Sequence, residues 1–206
     1  MFIHTASHKQ TITRCTATSI DRQRHWHKRT QKVISYYETE QIEVEKWVKN
    51  GKIHRGSGGP AAIKYYENGH IEYREWYKDG KEHRIGGAPA YISYFENGKI
   101  RGEMWYEDEE LHRVDAPANI TYFRNGQTDE ESWYIHGEFH CIDAPSIISY
   151  FKNGQIKLKA WYKDRRCHRA DGAPAVIIYF KNGTVKEERY CVDGKYQYNR
   201  VYNNTV

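Results

Sequence analysis

Five histidines recur at a fixed distance from tryptophan, and they are the side chains of this chain best placed to do chemistry. Each lies seven residues after a tryptophan. The pairs are Trp47/His54, Trp76/His83, Trp105/His112, Trp133/His140 and Trp161/His168. A protein zinc site gathers three or four ligands at one point, whereas these imidazoles would be spread along an array. We therefore expect the tryptophans and histidines to form a structural ladder, continued at Tyr190, that binds no metal and no cofactor.

Arginines directly follow four of these histidines. They are Arg55, Arg84, Arg113 and Arg169. A stripe of guanidinium groups could bind anionic lipid or nucleic acid. Three acidic residues nearby in the sequence could neutralise the stripe, namely Glu82, Glu110 and Asp171. A solvated or salt-bridged edge is therefore the favoured interpretation.

Most of the excess positive charge lies at the N-terminus. The 206 residues carry 32 basic and 27 acidic side chains. Residues 1–32 contain seven of the basic side chains and only one of the acidic ones. There, Arg24, Trp26, Lys28 and Arg29 interleave an aromatic ring with cations, which suits single-stranded nucleic acid or an anionic membrane surface. We interpret this segment as a basic capping repeat, with anion binding as the alternative.

Catalytic patterns do not stand out from the sequence. Nearly every candidate His, Asp or Glu recurs at the same place in other copies, whereas an active site is typically singular. The four cysteines lack metal-site or disulfide-framework spacing: Cys15, Cys141, Cys167 and Cys191. These observations predict a protein that is not an enzyme.

Self-similarity at a fixed period accounts for most of the chain. Seven copies align with spacings of 28 or 29 residues, at Thr18, Trp47, Trp76, Trp105, Trp133, Trp161 and Tyr190. Such a period predicts an array in which each unit buries its apolar face against its neighbours. Residues 1–31 form a degenerate basic leading repeat, 32–188 the regular repeats and 189–206 an incomplete C-terminal cap.

Turn signals divide each unit into strands. Asn68-Gly69 is typical of a two-residue type I′ hairpin loop, and Asp79-Gly80 gives a second turn after the tryptophan. Strand alternation then places Ile63 on the face of Trp76. A propeller blade needs about 40 residues, more than one unit supplies. The sequence predicts an all-β, open and twisted antiparallel meander of hairpins with no helical domain.

The motifs resemble a known repeat family. Tyr65-Tyr66-Glu67-Asn68-Gly69 followed by Trp76-Tyr77-Lys78-Asp79-Gly80 resembles the membrane occupation and recognition nexus (MORN) repeat, in a variant also found in bacterial antitoxin-like proteins. The longer form, with His83-Arg84 and Gly87-Ala88-Pro89, is similar to repeat proteins of amoeba-infecting giant DNA viruses. The resemblance spans nearly the whole chain, although the units are longer than the common MORN unit. It implies a non-catalytic scaffold that binds proteins or, in some relatives, phospholipids, and that often dimerises.

The ends of an open array also point to self-association. A terminal strand has unpaired N–H and C=O groups, and near-identical units make exchange between chains cheap. We expect a homodimer through the terminal repeats, with nucleic-acid or phospholipid binding by the N-terminal repeat as the alternative. The sequence has no apolar run of signal-peptide or transmembrane length. This predicts a cytoplasmic protein that is not secreted, located in the host cytoplasm or virion if it is viral.

Overall fold

Strands make up the whole of the regular structure. A computed structural model describes residues 29–140, 144–170 and 172–204. Within these ranges the chain forms 22 β-strands and no helix, so no described segment is a helix able to cross a membrane. The predicted all-β class is confirmed.

One antiparallel sheet runs through the described chain as an open meander. Its main path joins, in order, β1 (Gln31–Tyr36), β2 (Ile42–Lys49), β4 (Ala62–Tyr65), β5 (Ile71–Glu75), β8 (Tyr91–Tyr94), β9 (Ile100–Met104), β12 (Asn119–Tyr122), β13 (Thr128–Ser132), β16 (Ile147–Tyr150), β17 (Ile156–Ala160), β20 (Val176–Tyr179), β21 (Val185–Val192) and β22 (Lys195–Val201). Neighbours in this order are hydrogen-bonded, and the two ends of the path do not meet. The predicted open hairpin array is therefore confirmed.

Short strands extend each unit beyond its tryptophan. Strand β3 (Lys52–Ile53) pairs with the end of β2. Four separate pairs follow: β6 (Tyr77–Lys78) with β7 (Lys81–Glu82), β10 (Tyr106–Glu107) with β11 (Glu110–Leu111), β14 (Tyr134–Ile135) with β15 (Glu138–Phe139), and β18 (Tyr162–Lys163) with β19 (Arg166–Cys167). We call these short pairs, together with β2–β3 and the β21–β22 turn, the second hairpins.

The second hairpins have the turn geometry expected from the sequence. Asp79 and Gly80 both have positive φ, 53° and 90°, as a type I′ turn requires. Asp108 and Glu109 take the same left-handed conformation without a glycine, with φ of 50° and 72°. This turn places the histidine opposite the tryptophan, because the His83 N–H donates to the Trp76 carbonyl at 2.9 Å. The other four pairs make the same bond at 2.9 to 3.1 Å.

The Asn-Gly loops differ from the type I′ turn that the sequence suggests. The Tyr66 N–H donates to the His70 carbonyl at 2.8 Å, so three residues form the loop. Gly69 has a φ of 81°, but Asn68 is not left-handed. The loop is thus a turn followed by one left-handed glycine. Asn68 does not supply the left-handed residue of a type I′ turn. Instead, its side-chain oxygen accepts the His70 N–H at 2.9 Å.

The prediction for the strand faces is nevertheless correct. A β-bulge between Lys64 and Tyr65 compensates for the longer loop. As a result Ile63 pairs with Arg74, two residues before Trp76, which places Ile63 on the tryptophan face. Equivalent pairs recur in the other units, so the register depends on a bulge that is itself repeated.

The core is a narrow row of small residues beside the tryptophans. The residue after each proline is at most 1% exposed: Ala61, Ala90, Ala118, Ser146 and Ala175. Each of their carbonyls accepts the backbone N–H of the tryptophan of the preceding unit at 2.8 to 2.9 Å. A row this thin needs little apolar surface, in keeping with a hydrophobic content of 38%.

Replacing one indole tests this assignment of the core. Trp105 is 9% exposed, so Trp105→Ala should lower the free energy of unfolding by about 3 kcal/mol. Chemical denaturation followed by circular dichroism measures the change. Ile85→Ala is the control, because Ile85 is 78% exposed and should be nearly neutral. Equal stability of the two variants would contradict a buried Trp105.

Candidate interaction surfaces

The arginine stripe is an internal clamp, and its prediction as a solvated or salt-bridged edge is wrong. Each guanidinium lies over the ring of the tryptophan eight residues earlier, with its central carbon 3.8 to 4.0 Å from the ring centroid: Arg55 on Trp47, Arg84 on Trp76, Arg113 on Trp105 and Arg169 on Trp161. The same guanidinium donates to the carbonyl of the following proline at 3.0 to 3.2 Å.

The reason is the shape of arginine. A flat cation can stack on an indole and still direct N–H groups at a carbonyl, and both interactions gain from partial burial. None of these four arginines takes part in the ion pairs found among the described residues. Asp171, one of the three expected counter-charges, lies outside the described residues. The clamp makes these cations less available to an anionic ligand.

The histidines connect neighbouring second hairpins. His54 Nδ1 accepts the Asp79 N–H at 3.1 Å, and His168 Nδ1 accepts the Asp193 N–H at 3.2 Å. His112 makes the same contact with the His136 N–H at 3.3 Å. Across the described chain, no three His, Cys, Asp or Glu side chains are grouped as metal ligands. In these three units the imidazole stabilises the turn of the next unit.

Second hairpins with a glycine in the turn are joined to the preceding second hairpin by a backbone hydrogen bond. The N–H of Gly80 donates to the Ile53 carbonyl at 2.8 Å, and Gly137 and Gly194 make the same bond to the preceding hairpin. A Cβ at position 80 would lie 3.3 Å from the Lys52 side chain, so glycine permits the close approach. The described turns without glycine are bridged instead by ion pairs, Lys81–Glu109 and Glu138–Arg165.

The residues predicted for anion binding fall mostly outside the described chain. Arg24, Trp26 and Lys28 lie in the part that the structure does not describe. Arg29 is described and exposed. Anion binding by the N-terminal repeat therefore stays a prediction.

A pair of carboxylates is a feature that the sequence analysis missed. Glu75 on β5 and Glu82 on β7 lie beside the side chain of Tyr77, whose hydroxyl donates to Glu82 Oε1 at 3.4 Å. Burial raises the pKa of both carboxyl groups, and the charge of Glu82 raises the pKa of Glu75 further. Burial, and then the charge of Glu82, raises the pKa of Tyr106 to about 12. Such a pair can hold a proton or attract a cation.

Comparison between units could have revealed this pair. The positions of Glu75 and Glu82 hold other residue types in the next three units: Met104 and Leu111, Ser132 and Phe139, and Ala160 and Cys167. The acid pair is therefore a departure from the repeat. The signal was present in the sequence, but it appears only when two positions of each unit are compared together.

The last strand of the sheet is an exposed edge. All seven residues of β22 are exposed, including Tyr196 and Tyr198 at 59% and 46%. The Tyr202 N–H donates to the Lys186 carbonyl of β21 at 2.9 Å. Because antiparallel bonds alternate along a strand, the N–H and C=O groups of Asn199 and Val201 face away from β21. They form a hydrogen-bonding edge open to another strand.

Sequence comparison assigns the chain to no family. No protein-family model matches it, and no curated protein matches its sequence significantly. The function is therefore inferred from the geometry of the described residues.

The acid pair has a measurable pH signature. A carboxyl pKa raised by folding means that ionisation costs stability, so the contribution of Glu82 is favourable at low pH and is lost as the pH rises through its folded pKa. Glu82→Gln cannot ionise but can still accept the Tyr77 bond. We expect the variant to melt at a higher temperature than the parent at pH 7, with the difference shrinking towards pH 4.

Thermal unfolding at the two pH values measures the effect. Glu96→Gln is the matched control, since Glu96 is exposed and its substitution should change little at either pH. A Glu82→Gln difference that is the same at both pH values would contradict a desolvated carboxylate.

Proposed function

We propose that this chain is a non-catalytic repeat scaffold that binds other proteins and itself through the edges of its sheet. The exposed strand β22 carries the proposal. Long, flat edges tend to pair with other strands, and natural proteins usually protect them. Strand β22 is seven residues long and displays two exposed tyrosines. Such a strand supplies both backbone bonds and aromatic surface to a partner.

The repeated contacts support the same proposal. Four arginines stack on tryptophans, and three histidines bond to the next turn, so these side chains already have partners within the chain. The repeated side chains therefore stabilise the framework of the array. Binding then falls to the places where the framework ends. The resemblance to MORN repeats separately implies a non-catalytic scaffold that binds proteins and often dimerises.

A second copy of the chain is the partner that best fits this edge. A two-fold axis through Asn199 would pair β22 with itself in antiparallel order. Tyr198 would then face Arg200 of the second copy, and the contact would occur twice, favourable for a ring and a cation. An axis through Arg200 would instead oppose two like charges. The first register is therefore the one we propose.

Proline at position 199 tests the proposal. The Asn199 N–H faces away from β21, so Asn199→Pro removes an edge donor and leaves the ladder to β21 intact. Asn199→Ala is the matched control, because both variants lose the Asn199 side-chain bond to Glu187. Light scattering at micromolar concentration should show a dimer for the parent and for Asn199→Ala, and a monomer for Asn199→Pro.

Two results would contradict the proposed dimer. A monomeric parent protein would exclude self-association at this concentration. A dimeric Asn199→Pro variant would place the interface elsewhere in the chain. Circular dichroism of all three proteins, which should give one spectrum, shows that the sheet is unchanged.

A further inference from the structure

Two cysteines lie together where the regular repeats meet the C-terminal cap. Cys167 ends β19, and Cys191 lies near the end of β21. Both are free thiols, and they lie close enough to interact with each other. The backbone is joined at the same place, because the Gly194 N–H donates to the Cys167 carbonyl at 3.0 Å. The two thiols are thus held close together across a junction between units.

The repeat shows that this junction is unusual. At such a junction, the residue one position after a tryptophan contacts the preceding unit. Its partner there is the residue six positions after the tryptophan of that preceding unit. At one junction Phe139 stacks on Tyr162, with ring centroids 4.9 Å apart. The first position is tyrosine in four successive units: Tyr77, Tyr106, Tyr134 and Tyr162. At the last junction both positions are cysteine.

At this junction a cysteine takes the place of the usual tyrosine and lies opposite another cysteine, which suggests a cross-link. A single cysteine in place of a tyrosine would remove a large ring and leave space beside its neighbour. Two cysteines can restore a connection by a covalent bond. In sequence they are 24 residues apart, so the bond would close a loop across the junction.

We propose that Cys167 and Cys191 form an intrachain disulfide that fastens the C-terminal cap to the array. A small-molecule disulfide such as oxidised glutathione is the oxidant. One protein thiolate attacks a glutathione sulfur and releases one glutathione, and the second thiolate attacks the mixed disulfide and releases the other. Two protein thiols are oxidised, and one glutathione disulfide is reduced to two thiols. This inference does not depend on the proposed dimer.

The surroundings of the thiols make the reaction dependent on pH. Burial raises the pKa of Cys167 to about 12, the neighbouring Cys191 thiol adds to the shift, and Arg189 opposes it. The Tyr162 hydroxyl lies close enough to interact with both thiols. Because the thiolate is the attacking form, oxidation should be slow at neutral pH and faster in mildly alkaline solution.

Peptide mapping tests the disulfide directly. The parent protein and a Cys15→Ser/Cys141→Ser variant are incubated with oxidised glutathione at mildly alkaline pH and digested with trypsin without reduction. We expect a linked pair of peptides covering residues 167–169 and 190–195. In the double variant, oxidation should also raise the melting temperature by several degrees, and a reductant should reverse the rise.

A third variant distinguishes a disulfide from simple thiol modification. Adding Cys191→Ser to the double variant leaves Cys167 alone, which can form only a glutathione adduct without the increase in melting temperature. The proposal is overturned if the double variant gives stable glutathione adducts at both cysteines. It is also overturned if both thiols remain free for alkylation in denaturant after oxidation.

Discussion

The tryptophan clamp is the interaction on which the rest of the array depends. In four units an arginine covers the indole within 4.0 Å of its centroid and bonds to a proline carbonyl. The tryptophan backbone meanwhile donates to a fully buried Ala or Ser of the next unit. The tryptophan therefore makes a ring contact within its own unit and a backbone hydrogen bond to the next unit. This arrangement explains how a strongly polar chain builds a sheet with so thin a core.

Contacts between units are local but not uniform. The Gly80, Gly137 and Gly194 turns bond to the backbone of the preceding second hairpin, whereas the Glu109 and Arg165 turns use exposed ion pairs. Exposed ion pairs contribute less than about 1 kcal/mol. The backbone-bonded junctions are therefore the stronger ones. The interaction free energy between adjacent units should thus alternate between a larger and a smaller value along the array.

The sequence predicted what is local and periodic in this protein. Turns, strand alternation and the pairing of Trp76 with His83 all follow from spacing, because each involves residues close along the chain. The use of Asn68 was missed because asparagine suits two turn geometries, and the longer loop preserved the register only through a bulge. The arginine clamp was missed because a charged side chain was expected to pair with charge, although an indole ring is a comparable partner for a guanidinium.

Two features that occur only once in the array are visible only when two positions of each unit are compared together. The acid pair of Glu75 and Glu82 joins two strands of one unit, and the contact of Cys167 with Cys191 crosses a junction. Neither pair has the short spacing of a recognised motif. The separation of 24 residues between the two cysteines acquires a meaning only from the way the second hairpins pack against each other, so the sequence alone does not relate them.

The exposed edge differs from a disordered tail because its own sheet holds it in place. Tyr198 stacks on Tyr190 of β21 at 4.3 Å, and the Tyr202 hydroxyl bonds to Glu188 at 2.8 Å. Strand β22 is thus already extended and fixed in register. A partner strand would not need to order it, so much of the conformational entropy that usually opposes strand addition is lost during folding. This order, set by the last copy of the repeat, suits β22 to recognition of another strand.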